Sequence, residues 1–264
     1  MAETFCRYFS GYKPCPKSSK CNETCEFRDI PSKRVLVIHL EAMGSVLRST
    51  SILPAIHRKY PGAHVTWVTG PQCSPLLQNN PLVDRVIASD IRGLLQLRAL
   101  EFDVAYSLDK SLESVGLLEL TAFRELYGFT VEKKSGGIVP ANPEATELWN
   151  LGLSNHAKFY ENQKPETQLL IEALNLGPFE RDPYVLCLSA EERQLSEKRR
   201  KTWKGQNETV VGLNTGCSSV MPAKALTVDF LRRLISVIDE RQLPVQMVLL
   251  GGPDEIQKNR EIAR

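Results

Sequence analysis

The sequence lacks the features that would place it in a membrane or on nucleic acid. Its 264 residues contain no apolar run approaching the ~20 residues of a membrane-spanning helix, and its first residues lack the apolar core of a signal peptide. Lysine and arginine total 33 against 31 acidic residues, and the resulting formal charge of +2 gives no overall attraction to nucleic acid. We therefore expect a cytoplasmic protein without a nucleic-acid partner, at most in peripheral contact with the inner face of a membrane.

Histidine is also scarce, and its placement does not suggest metal chemistry. The four histidines show no metal-ligand spacing, and we expect core or surface roles for all of them: His39, His57, His64 and His156. The GxGxxG fingerprint of nicotinamide and flavin enzymes is absent as well, which weakens an oxidoreductase hypothesis.

Cysteine, in contrast, is concentrated at one end of the chain. Four of the seven cysteines fall within the first 25 residues, with turn-forming residues between them: Cys6, Cys15, Cys21 and Cys25. In a reducing compartment such dense thiols are typical of metal ligands, and both zinc and a four-iron cluster accept four thiolates. The spacing C-x8-C-x5-C-x3-C differs from the C-x2-C pairs of common zinc ribbons, so free thiols and disulfides stay open as alternatives.

The cysteines define a predicted metal-binding head over residues 1–31. This segment has almost no apolar core, and a bound metal would have to supply its order. We expect the basic residues among the cysteines, Arg7 included, to be solvated. The remaining cysteines, Cys73, Cys187 and Cys217, are expected to be packing residues.

From Arg34 onward the sequence alternates between strand and helix patterns. Strands are predicted at 34–40, 64–69, 84–88 and 103–108, and helical segments at 112–127 and 144–174. This alternation predicts βαβ units on a parallel sheet with helices on both faces, a Rossmann-like domain over residues 32–188.

Residues 189–264 predict a linker helix and part of a second Rossmann-like domain. Ser189 followed by Glu192 forms a capping-box pattern at a helix start. A strand at 209–214, a helix at 228–241 and a strand at 245–250 follow. A parallel sheet of two strands exposes an edge, and the sequence therefore looks cut off.

In their order, these segments resemble glycosyltransferase family nine, the ADP-heptose:lipopolysaccharide heptosyltransferases, whose GT-B fold has two Rossmann-like domains. The segment RVLVIHLEAMGSVLRSTSILPAIHRKYPGAHVTWVT resembles the family's first strand, glycine loop, helix and second strand. The segments VVGLNTGCSSVMPAKALTVDFLRRLI and VQMVLLGGPDE resemble the start of its nucleotide-binding domain. A cysteine-rich head resembles one subset of these proteins.

The resemblance implies an inverting transfer of heptose or a related sugar. The donor would be a nucleotide sugar similar to ADP-heptose, the acceptor a lipopolysaccharide-type or other glycan, and the transfer step would need no metal. The family residues that hold the nucleoside come after the point where this chain ends. We therefore expect little or no transferase activity from the chain alone, and a metal-containing, non-catalytic scaffold that binds nucleotide, glycan or a protein partner is the alternative.

The expected donor site lies in loops that follow strands, where backbone N–H groups attract phosphate. Its residues are Gly44, Asn214, Thr215, Gly216, Ser218, Ser219, Lys224, Gly251 and Gly252. By the resemblance, Lys224 is the lysine that would stabilise the departing diphosphate. The structural alternatives are a tight turn for Gly44 and for Gly251–Gly252, and a surface position for Lys224.

The expected catalytic residues depart from the family pattern. The family usually has an aspartate directly after the loop glycine, where this sequence has Ser45. A serine is not a base at neutral pH without a helper, so either Glu41 in the same loop is the general base or the chemistry has been lost. Asp109 and Lys110, which end the strand DVAYSLDK, are expected to contact the acceptor.

Overall fold

A computed structural model describes residues 4–9, 11–12, 15–203, 209–217 and 224–264. The chain forms two compact units, Met1–Cys187 and Leu188–Arg264.

The first unit is built on a six-stranded sheet. Its strands are β1 (Arg34–Ile38), β2 (His64–Thr69), β3 (Arg85–Ala88), β4 (Glu101–Ser107), β5 (Ala122–Glu132) and β6 (Gly137–Pro140). They are arranged in the order β3-β2-β1-β4-β5-β6. All neighbouring pairs are parallel except β5 and β6. The predicted strands at 34–40, 64–69, 84–88 and 103–108 are confirmed.

Helices cover both faces of this sheet, as the sequence predicts. They are α1 (Met43–Ser49), α2 (Ile52–Lys59), α3 (Ile91–Arg98), α4 (Leu112–Glu119), α5 (Thr146–Leu153) and α6 (Glu166–Ala173). The central strand β1 divides its side chains between two cores: Val35 and Val37 pack on the side of α2 and α6, whereas Leu36 and Ile38 pack on the side of α3 and α4. Because β1 is buried on both faces, it reads as a continuous apolar run.

Two sequence predictions for this unit need correction. The helix predicted over 112–127 ends at Glu119, and β5 begins three residues later. The segment 144–174 is also not continuous, since a π-helical turn (Ala157–Glu161) separates α5 from α6. In both places the final structure depends on pairing and packing with distant segments, which a local pattern does not contain.

The second unit has two parallel strands flanked by helices. Its elements are α7 (Ala190–Trp203), β7 (Thr209–Asn214), α8 (Val228–Glu240), β8 (Val245–Leu250) and α9 (Ile256–Ile262). The capping box is confirmed, because the Glu192 N–H donates to Ser189 Oγ at 3.1 Å and the Ser189 N–H donates to Glu192 Oε2 at 2.7 Å. Across the described ranges of both units, no helix combines the length and apolar character needed to cross a membrane.

Candidate functional site

A cavity of about 640 Å³ opens at the carboxyl ends of β1, β3 and β4 in the first unit. This edge is where ligands bind in open α/β sheets. The wall combines the loops after these strands with residues of α3 and α4, and includes Leu40, Glu41, Ser89, Leu94, Asp109, Lys110, Ser111, Glu113, Gly116 and Leu117. Three of the sequence-predicted site residues, Glu41, Asp109 and Lys110, are therefore brought together in one place.

Asp109 is the most perturbed acid of this cavity. Its side chain is only 12% exposed. Burial raises the pKa of the Asp109 carboxyl to about 7; the Leu40 N–H, donated to Oδ2 at 2.5 Å, opposes the rise and the charge of Glu41 adds to it. Asp109 is consequently divided between its acid and its carboxylate form near neutral pH, which suits a group that takes up or releases a proton.

His39 lies behind Asp109, with its Nε2 3.5 Å from Asp109 Oδ1. Burial lowers the pKa of His39 to about 4, and the ring is therefore neutral at pH 7. The other ring nitrogen, Nδ1, is 2.7 Å from Ser49 Oγ, whose hydroxyl donates to the Val46 carbonyl oxygen. His39 thus shares a hydrogen bond with Ser49 through Nδ1, and its Nε2 faces Asp109. Sequence reasoning missed His39, because its partners come from the loop after β4 and from α1.

The other residues of the first loop have different surroundings. Glu41 is exposed, and its Oε1 accepts a hydrogen bond from Gln72 Nε2 at 2.8 Å. Ser45 is half-buried in the first turn of α1, where its N–H donates to the Ala42 carbonyl oxygen. A Cβ on Gly44 would meet only the Arg48 side chain, at 3.7 Å, so neither packing nor backbone conformation demands glycine there. The expected approach of a ligand at Gly44 stays a prediction.

Lys110 borders the cavity but is engaged elsewhere. Its Nζ donates to the Leu148 carbonyl oxygen at 3.2 Å and lies 4.6 Å from the centre of the Phe129 ring. Burial lowers the pKa of Lys110. These contacts make Lys110 a connection between β4 and α5, while Asp109 faces the cavity.

In the second unit the predicted phosphate loops meet at the carboxyl ends of β7 and β8. The Thr215 N–H donates to the Leu250 carbonyl oxygen at 3.0 Å, which joins the loop Asn214–Gly216 to the loop Gly251–Gly252. Thr215 itself is buried, and its hydroxyl contacts Leu250 O and Asn259 Oδ1. Thr215 thus holds the loop in place instead of presenting its hydroxyl to a ligand.

Three residues around α9 that sequence reasoning did not select organise these loops. Lys258 Nζ donates to the carbonyl oxygens of Thr215 and Leu226, both at 2.6 Å. The Glu255 carboxylate accepts the Gly252 N–H at 2.7 Å and leaves no room for a Cβ on Gly216. Asn259 completes the set through Thr215. The spacing of Glu255, Lys258 and Asn259, on one side of a short helix after a glycine turn, was the available signal.

Lys224 is exposed and is the first residue of the described segment 224–264, which contains α8. Ser218 and Ser219, which the sequence analysis assigns to the same loop, lie outside the described residues.

The four cysteines of the head line one small space in the first unit. Cys6, Cys15, Cys21 and Cys25 are all half-buried and free of disulfides. Arg7, expected to be solvated, is 15% exposed and bonds to the chain just before β2 and β3, at Ala63 O (2.9 Å) and Asp84 Oδ1 (2.6 Å). The head therefore docks at the amino ends of the strands, away from the cavity.

Comparison of the sequence gives no match to any family model or curated protein. Comparison of the structure does give matches. A glycosyl transferase family 9 protein from Veillonella parvula superposes with a TM-score of 0.66 at 16% identity, over 89% of this chain and 67% of that chain. The E. coli ADP-heptose LPS heptosyltransferase II superposes with a TM-score of 0.60 at 21% identity, over 87% of this chain and 67% of that one.

The fold is that of the heptosyltransferases. A further heptosyltransferase, E. coli WaaC solved with ADP, superposes with a TM-score of 0.58 at 17% identity, over 88% of this chain and 71% of its own. WaaC has also been solved with ADP-2-deoxy-2-fluoro heptose. The predicted α/β architecture, with a Rossmann-like parallel sheet and a small second parallel sheet, is confirmed. At these identities the heptosyltransferase likeness shows the fold and not the substrate.

Proposed function

We propose that this protein is a glycosyltransferase that moves a heptose or related sugar from a nucleotide sugar to a hydroxyl of a glycan acceptor, such as a lipopolysaccharide core. The first unit would bind the acceptor and the second the nucleotide. The observation that carries the proposal is Asp109, a buried acid with a pKa of about 7 in the wall of a cavity large enough for a sugar, on a heptosyltransferase fold.

The chemistry requires a base and a stabilised leaving group. The acceptor oxygen attacks the anomeric carbon, the bond from that carbon to the diphosphate oxygen breaks with its electron pair, and the acceptor proton passes to the base. A single displacement of this kind inverts the anomeric centre. The base must be ionised before the reaction and must hold the proton afterwards, which a pKa near the working pH allows.

Asp109 fits the base role better than Glu41 or Ser45. Glu41 is exposed and bonded to Gln72, and Ser45 has no carboxylate. Asp109 accepts the Leu40 N–H, and the His39 ring, which Ser49 holds, faces the Asp109 carboxyl. A base positioned this way needs no reorganisation when substrate binds.

On the donor side, we assign the diphosphate to the loops Asn214–Gly216 and Gly251–Gly252. Their position at the carboxyl ends of parallel strands supports the assignment, while the Thr215 and Gly252 N–H groups hold the loops together through Leu250 O and Glu255. Lys224, an exposed cation shortly before α8, would balance the charge that develops on the departing diphosphate.

Calorimetric titration of the full chain with ADP and with ADP-heptose tests the donor assignment. We expect both to bind, and Lys224→Gln to weaken binding about tenfold, since a charge-assisted hydrogen bond contributes roughly 1.5 to 3 kcal/mol. Lys201→Gln on α7 removes an exposed lysine of the same unit and should leave the affinity unchanged. If neither nucleotide binds, the transferase proposal is wrong.

Little transfer is expected from this chain alone, but any residual transfer to a lipopolysaccharide-core oligosaccharide tests the base through its pH dependence. We expect kcat/KM to rise through a midpoint near pH 7 and Asp109→Asn to lower it at least 100-fold. Glu101→Gln, at the opposite end of β4, is the matched control. Loss of activity in Glu41→Gln but not in Asp109→Asn would move the base to Glu41 and leave the transferase proposal standing.

Ser45 favours the second candidate, a non-catalytic scaffold. Such a protein would bind the nucleotide in the calorimeter, yet would give no transfer product with any acceptor and no response to Asp109→Asn.

A further inference from the structure

The head contains a small cavity. Cys6, Cys15, Cys21 and Cys25 all border one cavity of about 10 Å³, together with aromatic side chains that include Tyr8, Phe9 and Phe27. This volume is close to that of one water-sized sphere, the least that holds a single small particle. Four cysteines from 20 residues of chain thus border one small cavity.

The backbone already supports one of these sulfurs as a ligand. The Asp29 N–H donates to Cys6 Sγ at 3.5 Å, and the Phe9 N–H closes a turn on the Cys6 carbonyl oxygen at 3.0 Å. A second turn runs from the Arg28 N–H to the Cys25 carbonyl oxygen at 3.0 Å. N–H groups donated to sulfur stabilise the thiolate form that binds metals and orient it.

We propose that Cys6, Cys15, Cys21 and Cys25 bind one zinc ion as four thiolates, and that this site stabilises the docking of the head and takes no part in transfer. Each thiol gives up its proton to solvent as its sulfur binds the ion. Across the residues that the structure describes, no three metal-binding side chains are grouped closely enough to hold an ion as they stand. Binding therefore draws the sulfurs inward until each Zn–S distance is about 2.3 Å.

The simpler requirement favours zinc over an iron–sulfur cluster. A single zinc ion needs only four thiolates, whereas a four-iron cluster must also place four irons and four sulfides between the cysteines. Four thiolates in a tetrahedron are all that a structural zinc ion requires from the turns of the head.

The position of the head argues for a structural role. Arg7, next to Cys6, donates to Asp29 Oδ2 at 2.9 Å, to Gly62 O at 2.8 Å and to Asp84 Oδ1 at 2.6 Å. Asp29 therefore links the Cys6 sulfur to the side chain that anchors the head at the amino ends of β2 and β3. The proposed acceptor cavity lies at the carboxyl ends of the strands.

Metal analysis of the full chain, purified without chelator, tests the proposal. We expect one zinc per chain and no visible absorption. Four more thiols should react with a disulfide reagent after a strong chelator than before it. The double variant Cys21→Ser/Cys25→Ser should lose the zinc, and Cys187→Ser, which removes a half-buried thiol outside the head, should keep it.

Limited proteolysis and nucleotide binding test the structural role. Chelation of the wild-type chain should expose the head to protease and lower Tm, while ADP affinity stays within twofold. Because this arm uses no variant, it holds even if the serine substitutions prevent folding. Finding iron with sulfide would show that the metal is not zinc. Four thiols that react without chelator would show that the cysteines bind no metal, and a chain mass lowered by two disulfides would show disulfides in place of the metal site. Loss of ADP binding on chelation would contradict the structural role.

Discussion

The buried Asp109 carboxyl suits proton transfer but lowers the stability of the fold at high pH. Burial favours its protonated form, which raises the pKa of the carboxyl to about 7, while the Leu40 N–H keeps the side chain in one orientation. In the unfolded chain the same carboxyl has a pKa near its ordinary value of 3.8. Between these two values the folded state binds more protons than the unfolded state, so this residue makes folding less favourable as the pH rises.

Asp109→Asn should therefore stabilise the protein at alkaline pH. The amide keeps an oxygen that accepts the Leu40 N–H and cannot ionise. We expect a gain of about 4 kcal/mol in the free energy of unfolding at pH 8 that shrinks through pH 7 to 4 and vanishes below pH 4. Urea unfolding at pH 8, 6 and 4 measures it. A variant that is less stable than wild type at pH 8 would contradict the assigned pKa direction.

His39 and Arg7 show what residue patterns leave out. The positions of Asp109 and Glu41 at the ends of strands could be predicted from the sequence, because carboxyl ends of parallel strands meet at one edge. The pairing of His39 with Asp109 and of Arg7 with Asp84 could not, because 70 and 77 residues separate the partners and no local pattern encodes the contact.

At the scale of elements, strands buried on both faces are the most predictable, and β5 shows why others are not. The segment from Ala122 spaces its apolar residues in a way that also suits a helix, but here it pairs with β4 on one side and with β6 on the other. Gly128 fixes this arrangement with a φ of +100°, and a Cβ there would overlap the Ser107 carbonyl oxygen. Such close approach depends on the neighbouring strand and is invisible in the sequence of β5 alone.

In the second unit, Lys258 connects secondary-structure elements that lie far apart in the sequence. Its ammonium joins α9 to the loop after β7 and to the residue before the cap of α8. Lys258→Gln should cost about 2 kcal/mol, because hydrogen bonds from charged donors contribute roughly 1.5 to 3 kcal/mol and two carbonyl groups lose their partner. Hydrogen exchange should quicken at residues 215–217 and 226–228.

Lys201→Gln on α7 is the matched control for this substitution and should change neither the free energy of unfolding nor these exchange rates. Equal effects from the two lysines would mean that charge, and not the bridging of the loops, accounts for the loss. If the proposed function holds, Lys258→Gln should also weaken ADP binding, because the loop it fixes belongs to the donor site.

For the molecule as a whole, the near-zero net charge conceals how its charged groups are distributed. In the first unit, a titrating acid faces the cavity at the carboxyl ends of the strands, while an arginine surrounded by Asp29, Asp84 and backbone carbonyls anchors the head at the amino ends. The composition gave no sign of either. Asp109 and Arg7 lie at opposite ends of the strands of one sheet. Substitutions that change function should therefore differ from those that change stability.

Arg7→Gln tests this separation. The variant loses the contacts to Asp29, Asp84, Gly62 and Ala63, although Asp84 keeps the Val65 N–H as a donor at 2.7 Å. We expect the free energy of unfolding to fall by about 2 to 3 kcal/mol and protease to cleave the head first. Arg92→Gln, an exposed arginine on α3, should leave both unchanged. The loss should persist in 0.5 M salt, because a side chain that is 15% exposed is weakly screened. Loss of ADP binding in the folded Arg7→Gln chain would show that the two edges of the sheet are coupled.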